Sequence, residues 1–362
     1  MKAVFRVDAS LHIGLGHVMR CLALANELKR YGTTSLFLCR DHESNPQRLL
    51  EERGYVVKLL PRQEKQSESK SENPAHANWL GASWQQDAAD CLKALGEEQY
   101  DWLIVDHYGI DYRWHEKIRK KAKAIMAIDD LADRKLDCDL LLDQTHGRDE
   151  SDYLSLIPSA CQLKLGAKYA LLRSEFSINR EMALEKRVAF HGLRRLLVFM
   201  GGGDPENITG EVLETLGRTE WPERRSPVID VVLGGQAPHW QAIEKQAQRL
   251  PIEINVLSGV SNMADLMLNA DLAIGAGGTA SWERCAMALP AIIKITADNQ
   301  RFLSGLLHKA GAVELWHDEA SLMLGLKSIS ADSQKWLQMK DAAAVICDGL
   351  GVQRIAKILC RC

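Results

Sequence analysis

The chain has 362 residues, 46% of them apolar and 26% charged, with a formal net charge of -3. That length exceeds one ordinary core and predicts two domains. The absence of a basic excess argues against nucleic acid and anionic membrane as partners, no apolar run is long enough for a membrane span, and the charged, strand-like N-terminus does not read as a secretory signal.

The elements alternate from the start. An apolar strand over Ala3–Asp8 leads into Ile13-Gly14-Leu15-Gly16-His17, and a helical pattern runs on to about Tyr31. Strands over Thr34–Cys39 and Tyr55–Leu60 flank a short helix at Pro46–Arg53. The polar stretch from Arg62 to Pro74 reads as a solvated, disordered loop. A helix at Trp84–Leu95 follows, then strands at Trp102–Val105, Lys123–Ile128 and Leu140–Asp143. The segment from Tyr153 to about Lys186 breaks the rhythm and marks the junction. The pattern restarts at Arg195–Met200, runs into Gly201-Gly202-Gly203-Asp204-Pro205, and continues with strands at Val228–Leu233, Ile252–Val256, Leu272–Ile274 and Ala291–Ile295. Helices are expected at Ile208–Leu216, His239–Arg249, Met263–Asn269, Ser281–Ala288, Gln300–Ala310, Gln334–Asp348 and Val352–Leu359.

Strand–helix alternation of this kind predicts α/β architecture with parallel sheets: two Rossmann-like domains facing across a cleft, 1–175 and 176–362, with the last helix free to pack back on the first domain. Ligand belongs at the carboxyl ends of the strands. Seven of the nine cysteines (Cys21, Cys39, Cys91, Cys138, Cys161, Cys285, Cys347) fall within apolar patterns, as buried thiols of a reduced, cytoplasmic protein do. Cys360 and Cys362 read as a frayed tail or half a metal site. Trp79, Trp84 and Trp102 lie near apolar runs and read as core.

Five constellations carry chemistry. Gly14-x-Gly16-His17 sets a histidine where a glycine turn becomes a helix, a place that favours phosphates and disfavours imidazolium; the alternative is a capping histidine in a close-packed turn. The third glycine of a dinucleotide fingerprint is missing, so no NAD is implied. Asp106-His107-Tyr108 and Asp129-Asp130 end two strands. Asp106, His107 and Asp129 have the chemistry of a metal site or of a polar rim that positions substrate, without zinc-type spacing. In Gly277-Gly278-Thr279-Ala280-Ser281, amides and hydroxyls suit a diphosphate, and Glu283 suits a ribose diol or closes a capping box. Gly202 and Gly203 open a loop for a nucleotide or a plain turn. Asn299 and Gln300, with Asp298, offer donors and acceptors for sugar groups or begin a solvated helix.

Together these residues resemble one family. Arg6-x-Asp8-Ala9-Ser10, Ile13-Gly14-x-Gly16-His17-Val18-x-Arg20-Cys21, Asp106-His107-Tyr108, Ile128–Arg134, Leu141–Gln144, Tyr169–Phe176 and Gly275–Arg284 are similar, in order and over nearly the whole chain, to the UDP-sugar hydrolases of pseudaminic acid biosynthesis. The resemblance implies a GT-B fold like that of the peptidoglycan N-acetylglucosaminyltransferase. It also implies hydrolysis of UDP-2,4-diacetamido-2,4,6-trideoxy-β-L-altropyranose without metal or cofactor, and a place in flagellin glycosylation or surface polysaccharide synthesis. His17 takes the family's general-base position, with Tyr108 and Asp106 beside it. Arg173 and Glu283 take ligand-binding positions, Glu283 on the ribose. Arg6, Asp8, Gly14, Gly16, His107, Gly202, Gly203, Gly277, Gly278, Thr279, Asn299 and Gln300 complete the expected substrate contacts. The expected partner is the UDP-sugar alone, bound by a monomer. Gly203 and Ala280 stand where the family often has hydroxyl residues. A GT-B glycosyltransferase, a UDP-sugar epimerase and a non-catalytic nucleotide-sugar-binding subunit are the rivals. UDP release without an acceptor separates the hydrolase from the transferase and the subunit.

Overall fold

The computed structural model describes residues 1–10, 13–62, 73–221, 226–235 and 237–361; Cys362 and nearly all of the expected loop from Arg62 to Pro74 lie outside them. The chain forms two units, Met1–Leu171 with Leu350–Cys362, and Leu172–Gly349.

The first unit runs β1 (Lys2–Val7), α1 (Gly16–Arg30), β2 (Thr34–Arg40), α2 (Gln47–Glu52), β3 (Val56–Leu60), α3 (Trp84–Leu95), β4 (Tyr100–Asp106), α4 (Tyr112–Ile118), β5 (Ala122–Ile128), β6 (Leu140–Asp143) and β7 (Gln162–Leu165). Its strands form one seven-stranded sheet in the order β3-β2-β1-β4-β5-β6-β7, parallel throughout. Both faces are covered, so central strands are apolar along their length rather than alternating: Ala3, Val4, Phe5 and Val7 of β1 have no exposed surface. Phe5 stacks on Phe37 with ring centroids 4.8 Å apart.

The second unit runs α5 (Ser174–Lys186), β8 (Arg195–Phe199), α6 (Ile208–Arg218), β9 (Val228–Leu233), α7 (Trp240–Arg249), β10 (Ile254–Ser258), α8 (Met263–Asn269), β11 (Leu272–Ala276), α9 (Ala280–Ala286), β12 (Ala291–Lys294), α10 (Arg301–Lys309), β13 (Val313–Leu315), α11 (Glu319–Ala331) and α12 (Ser333–Ile346). Its six-stranded sheet has the order β10-β9-β8-β11-β12-β13 and is also parallel. The last helix, α13 (Gly351–Leu359), returns to the first unit. Val352, Ile355, Ala356 and Leu359 repeat at helical spacing and are buried in the core that holds Val18, Cys21 and Leu22 of α1. Trp102 Nε1 donates to the Leu359 carbonyl at 3.1 Å and Arg354 Nη1 to the Lys168 carbonyl at 2.7 Å.

The unit boundary falls at Leu171–Leu172, a few residues before the sequence boundary at 175. It moves Arg173 from the first half to the second. In each sheet the strand order reverses once, between β1 and β4 and between β8 and β11. Such reversals leave a crevice at the carboxyl ends of the strands, and the candidate residues sit there.

Candidate active site

In the first unit the switch point is lined by the residues after Val7 and Asp106. Gly14 has φ +76, a left-handed turn that glycine adopts without strain. The turn feeds α1, of which His17 is the second residue, 9% exposed. His17 Nδ1 lies 2.6 Å from Asp106 Oδ1. Arg20, one turn along the same helix face, donates through Nε to Asp106 Oδ2 at 2.6 Å, through Nη2 to Oδ1 at 2.7 Å, and through Nη1 to Asp130 Oδ2 at 2.5 Å. Tyr108 donates its hydroxyl to the same Asp130 oxygen at 2.8 Å and meets the His17 ring edge-on, 4.6 Å between centroids.

The charges fix the tautomer. Burial pushes the Asp106 carboxyl up, but Arg20 and His17 outweigh it and hold it well below the usual carboxylate range. An ionised carboxylate only accepts, so the bond to Nδ1 carries the imidazole proton there. Nε2 is left with the lone pair, as in a carboxylate–histidine pair that serves a nucleophile. Burial, then Asp130, push the Tyr108 phenol well above its ordinary range, and it stays a donor.

Behind this row lies a second, fully enclosed network. Arg6 Nη1 donates to Asp8 Oδ1 at 2.6 Å, and its Nε and Nη2 to Asp87 at 3.1 and 2.7 Å. Arg40 donates from its backbone N–H to Asp8 Oδ1 at 2.6 Å and from Nη2 to Asp87 Oδ2 at 2.6 Å. His107 accepts from the Gly109 N–H at Nδ1, 3.0 Å, and sets Nε2 3.3 Å from Asp8 Oδ2. Arg6 has no exposed surface, Asp8 1% and His107 3%. These three were expected as substrate contacts; in the structure Arg6 and Asp8 are bonded to each other, to Asp87 of α3 and to Arg40 of β2, with His107 beside Asp8. The metal alternative meets occupied donors: both Asp106 oxygens serve Arg20 and His17, and Asp129 accepts from Arg134, Tyr153 and the Ala132 N–H.

In the second unit Gly277 and Gly278 follow β11, and α9 begins with no side-chain bond at its cap. The capping-box alternative for Glu283 is therefore not what forms. Glu283 lies 3.5 Å from Arg173, which is also 3.0 Å from Glu175. Burial pushes the Glu283 carboxyl up against the pull of Arg173. A Cβ on Gly277 would collide with Ser304 Oγ and touch Gln300 at 3.5 Å. Glycine there allows the close approach, and Gln300 stands beside the turn. Gln300 Oε1 accepts from the Thr296 N–H and hydroxyl at 3.0 and 3.1 Å. Thr279 and Asn299 are exposed.

Gly202 and Gly203 are exposed after β8, but the start of α6 is already occupied. Asp204 accepts from the Ile208 and Thr209 N–H groups, both at 2.9 Å. A carboxylate thus holds those amides, whereas no side chain caps the start of α9.

Four residues at the first site had no role in the sequence reading. Arg20 stands three positions after His17, a spacing that puts both on one helix face. Asp130 neighbours the expected Asp129. Trp79 and His76 carry no sequence signal of a site. Trp102 is core, as expected, whereas Trp79 is half-buried, its ring stacked 5.6 Å from Tyr108 and edge-on to His17 at 6.1 Å. Of the described cysteines, Cys161 is half-buried, Cys360 exposed, and the others buried.

No family model matches the sequence. The chain is 30% identical over 268 residues to the UDP-2,4-diacetamido-2,4,6-trideoxy-β-L-altropyranose hydrolase of Campylobacter jejuni, covering 74% of this chain and 81% of that one. It is 22% identical over 360 residues to the spore coat polysaccharide biosynthesis protein SpsG of Bacillus subtilis, covering 97% and 96%. Among solved structures, MurG of Acinetobacter baumannii aligns with a TM-score of 0.67 at 14% identity, over 100% of this chain and 99% of that one. At that identity the likeness is one of fold, GT-B with two parallel-sheet α/β domains.

Proposed function

The chain belongs to the UDP-2,4-diacetamido-2,4,6-trideoxy-β-L-altropyranose hydrolase family, and from that premise we propose that it hydrolyses this UDP-sugar, or a close diacetamido stereoisomer, at the anomeric carbon, as a step of pseudaminic acid synthesis. The observation that carries the mechanism is the 2.6 Å contact between His17 Nδ1 and Asp106.

His17 Nε2 takes a proton from water as the water oxygen bonds to the anomeric carbon. The bond from that carbon to the β-phosphate oxygen breaks, and its electron pair leaves with UDP. One displacement inverts the centre. Asp106 stabilises the imidazolium that forms, and Arg20 keeps Asp106 ionised. A positioned general base is worth about 10²–10⁴ in rate. Amides at Gly277, Gly278 and Thr279 are assigned to the diphosphate, where stabilisation of the departing charge acts, and Glu283 to the ribose. Arg173 orients Glu283, and Gln300 borders the turn. No metal is assigned a role, because the nearby carboxylates already serve arginines.

Hydrolysis in ¹⁸O-water tests the bond broken: label is expected in the sugar, and label in UDP would overturn attack at carbon. His17→Asn should lose at least a hundredfold in kcat while remaining folded.

A further inference from the structure

The segment before α3 sits unusually close to the catalytic row. Ala77–Leu80 forms a single 3-10 turn, and two glycines let it approach. A Cβ on Gly109 would stand 2.8 Å from the His76 carbonyl oxygen, and one on Gly81, at φ +64, would stand 2.6 Å from the His42 ring. A side chain at position 109 would push the turn away, and one at 81 would displace the His42 ring. What the turn brings is aromatic. The His76 ring lies 4.6 Å from Trp79 and 5.6 Å from Tyr108, Trp79 stacks on Tyr108 at an interplanar angle of 29°, and His17 meets both Trp79 and Tyr108 edge-on. Trp79 is in neither the apolar cluster around Phe5 nor the one around Leu103 and keeps part of its surface open. Burial pushes the His76 imidazole below its ordinary range, so at neutral pH the panel carries no charge of its own.

An uncharged aromatic panel against the base suits a ligand whose reacting end is itself apolar. Resting on the hydrolase reading, we propose that Trp79, seated with His76, is the specificity-determining wall for the sugar: it packs the methyl groups that distinguish a diacetamido-trideoxy hexose, two on the acetamido groups and one at C6. Hexoses with hydroxyls at those places would set unpaired polar groups against the rings. The wall acts on the sugar and not on the nucleotide.

Each methyl-sized group buried counts for a factor of about four in binding, so two or three amount to roughly 15- to 60-fold. The test measures KM and kcat for the UDP-diacetamido-trideoxy sugar, with the inhibition constant of UDP, in wild type, Trp79→Ala and Trp79→Phe. The wall predicts KM up by roughly 15- to 60-fold in Trp79→Ala, kcat within about threefold, the UDP constant unchanged, and most of the KM recovered by Trp79→Phe. A turn that merely shields or props His17 would lower kcat with KM unmoved, and that result overturns the proposal. So does a KM within twofold of wild type, or an equal weakening of UDP. If the wild type releases no UDP, the hydrolase reading falls separately. Calorimetric binding of the intact UDP-sugar and of UDP to the same three proteins still judges the wall: Trp79→Ala must lose affinity for the first and not the second.

Discussion

Asp106→Asn isolates the tautomer argument. The substitution keeps the shape of a side chain that is 1% exposed but replaces one acceptor oxygen with a donor. Arg20 donates to both carboxylate oxygens, so the amide turns its oxygen to the guanidinium and its NH2 to His17. His17 can accept that hydrogen only with the lone pair on Nδ1, which moves its proton to Nε2, the atom that must receive a proton from water. Loss of a general base costs about 10²–10⁴, or roughly 3–5 kcal/mol of barrier, and it should appear in kcat with KM little changed. Arg20 keeps Asp130 as a partner, so the variant should fold; thermal denaturation checks this, and a continuous assay of UDP release reads the rate. Turnover by a folded Asp106→Asn within fivefold of wild type would refute the reasoning.

Three further outcomes are expected. Burial, with Asp130 nearby, pushes the Asp143 carboxyl up to about 6. The native state thus holds a proton that the unfolded chain releases near 3.9, and stability falls as pH rises from about 4 to about 6, by roughly 1.4 kcal/mol per unit and about 3 kcal/mol in all; urea titrations of Asp143→Asn should lack that slope. A Cβ at Gly351 would press into the backbone of Tyr169 and Ala170, so Gly351→Ala should lower stability by roughly 1–3 kcal/mol, read from the urea midpoint. Glu283→Ala should weaken UDP binding by roughly tenfold or more, the worth of a charged hydrogen bond, in calorimetry.

Most of the fold was legible because buried parallel strands are apolar throughout and helices between them keep their period. Trp84–Leu95, Leu140–Asp143, Val228–Leu233 and Met263–Asn269 match the expected bounds. The elements passed over lacked those signals. β7 and β13 are edge strands of four and three residues, with little apolar sequence to announce them. α4 begins at an aspartate cap, Asp111 accepting from the Arg113 N–H at 3.0 Å, and α11 at a reciprocal box of Asp318 and Ser321; these starts could have been read. The site was legible as motifs and not as bonds. Asp106 reaches His17 across 89 positions and Asp87 reaches Arg6 across 81, distances over which no spacing rule acts. Arg6 and Asp8 therefore read as ligand contacts while their partners Asp87 and Arg40 gave no signal, since a charged residue looks the same in sequence whether it faces solvent, a ligand or another charge.

The three glycine turns make the same point more sharply. Gly14–Gly16, Gly201–Gly203 and Gly277–Gly278 each follow a strand and lead to a helix, and by composition each suits an anion. A few side chains divide them. At α6, Asp204 accepts the first amides and sets a negative charge where a phosphate would lie. At α9 no side chain caps the start, and Glu283 is drawn aside towards Arg173. At α1 the helix carries His17 and Arg20 on one face, and Asp106, from the neighbouring strand, neutralises the arginine while orienting the histidine. An arginine there without its carboxylates would draw phosphate to the base; paired with two, it leaves the imidazole to act on water. Lysine at position 20 has no planar fork to hold both Asp106 oxygens and Asp130 at once. Arg20→Lys should therefore loosen Asp106 from its hold on His17 and lower kcat per folded molecule, whereas a purely structural arginine would alter stability and leave kcat per folded molecule where it was.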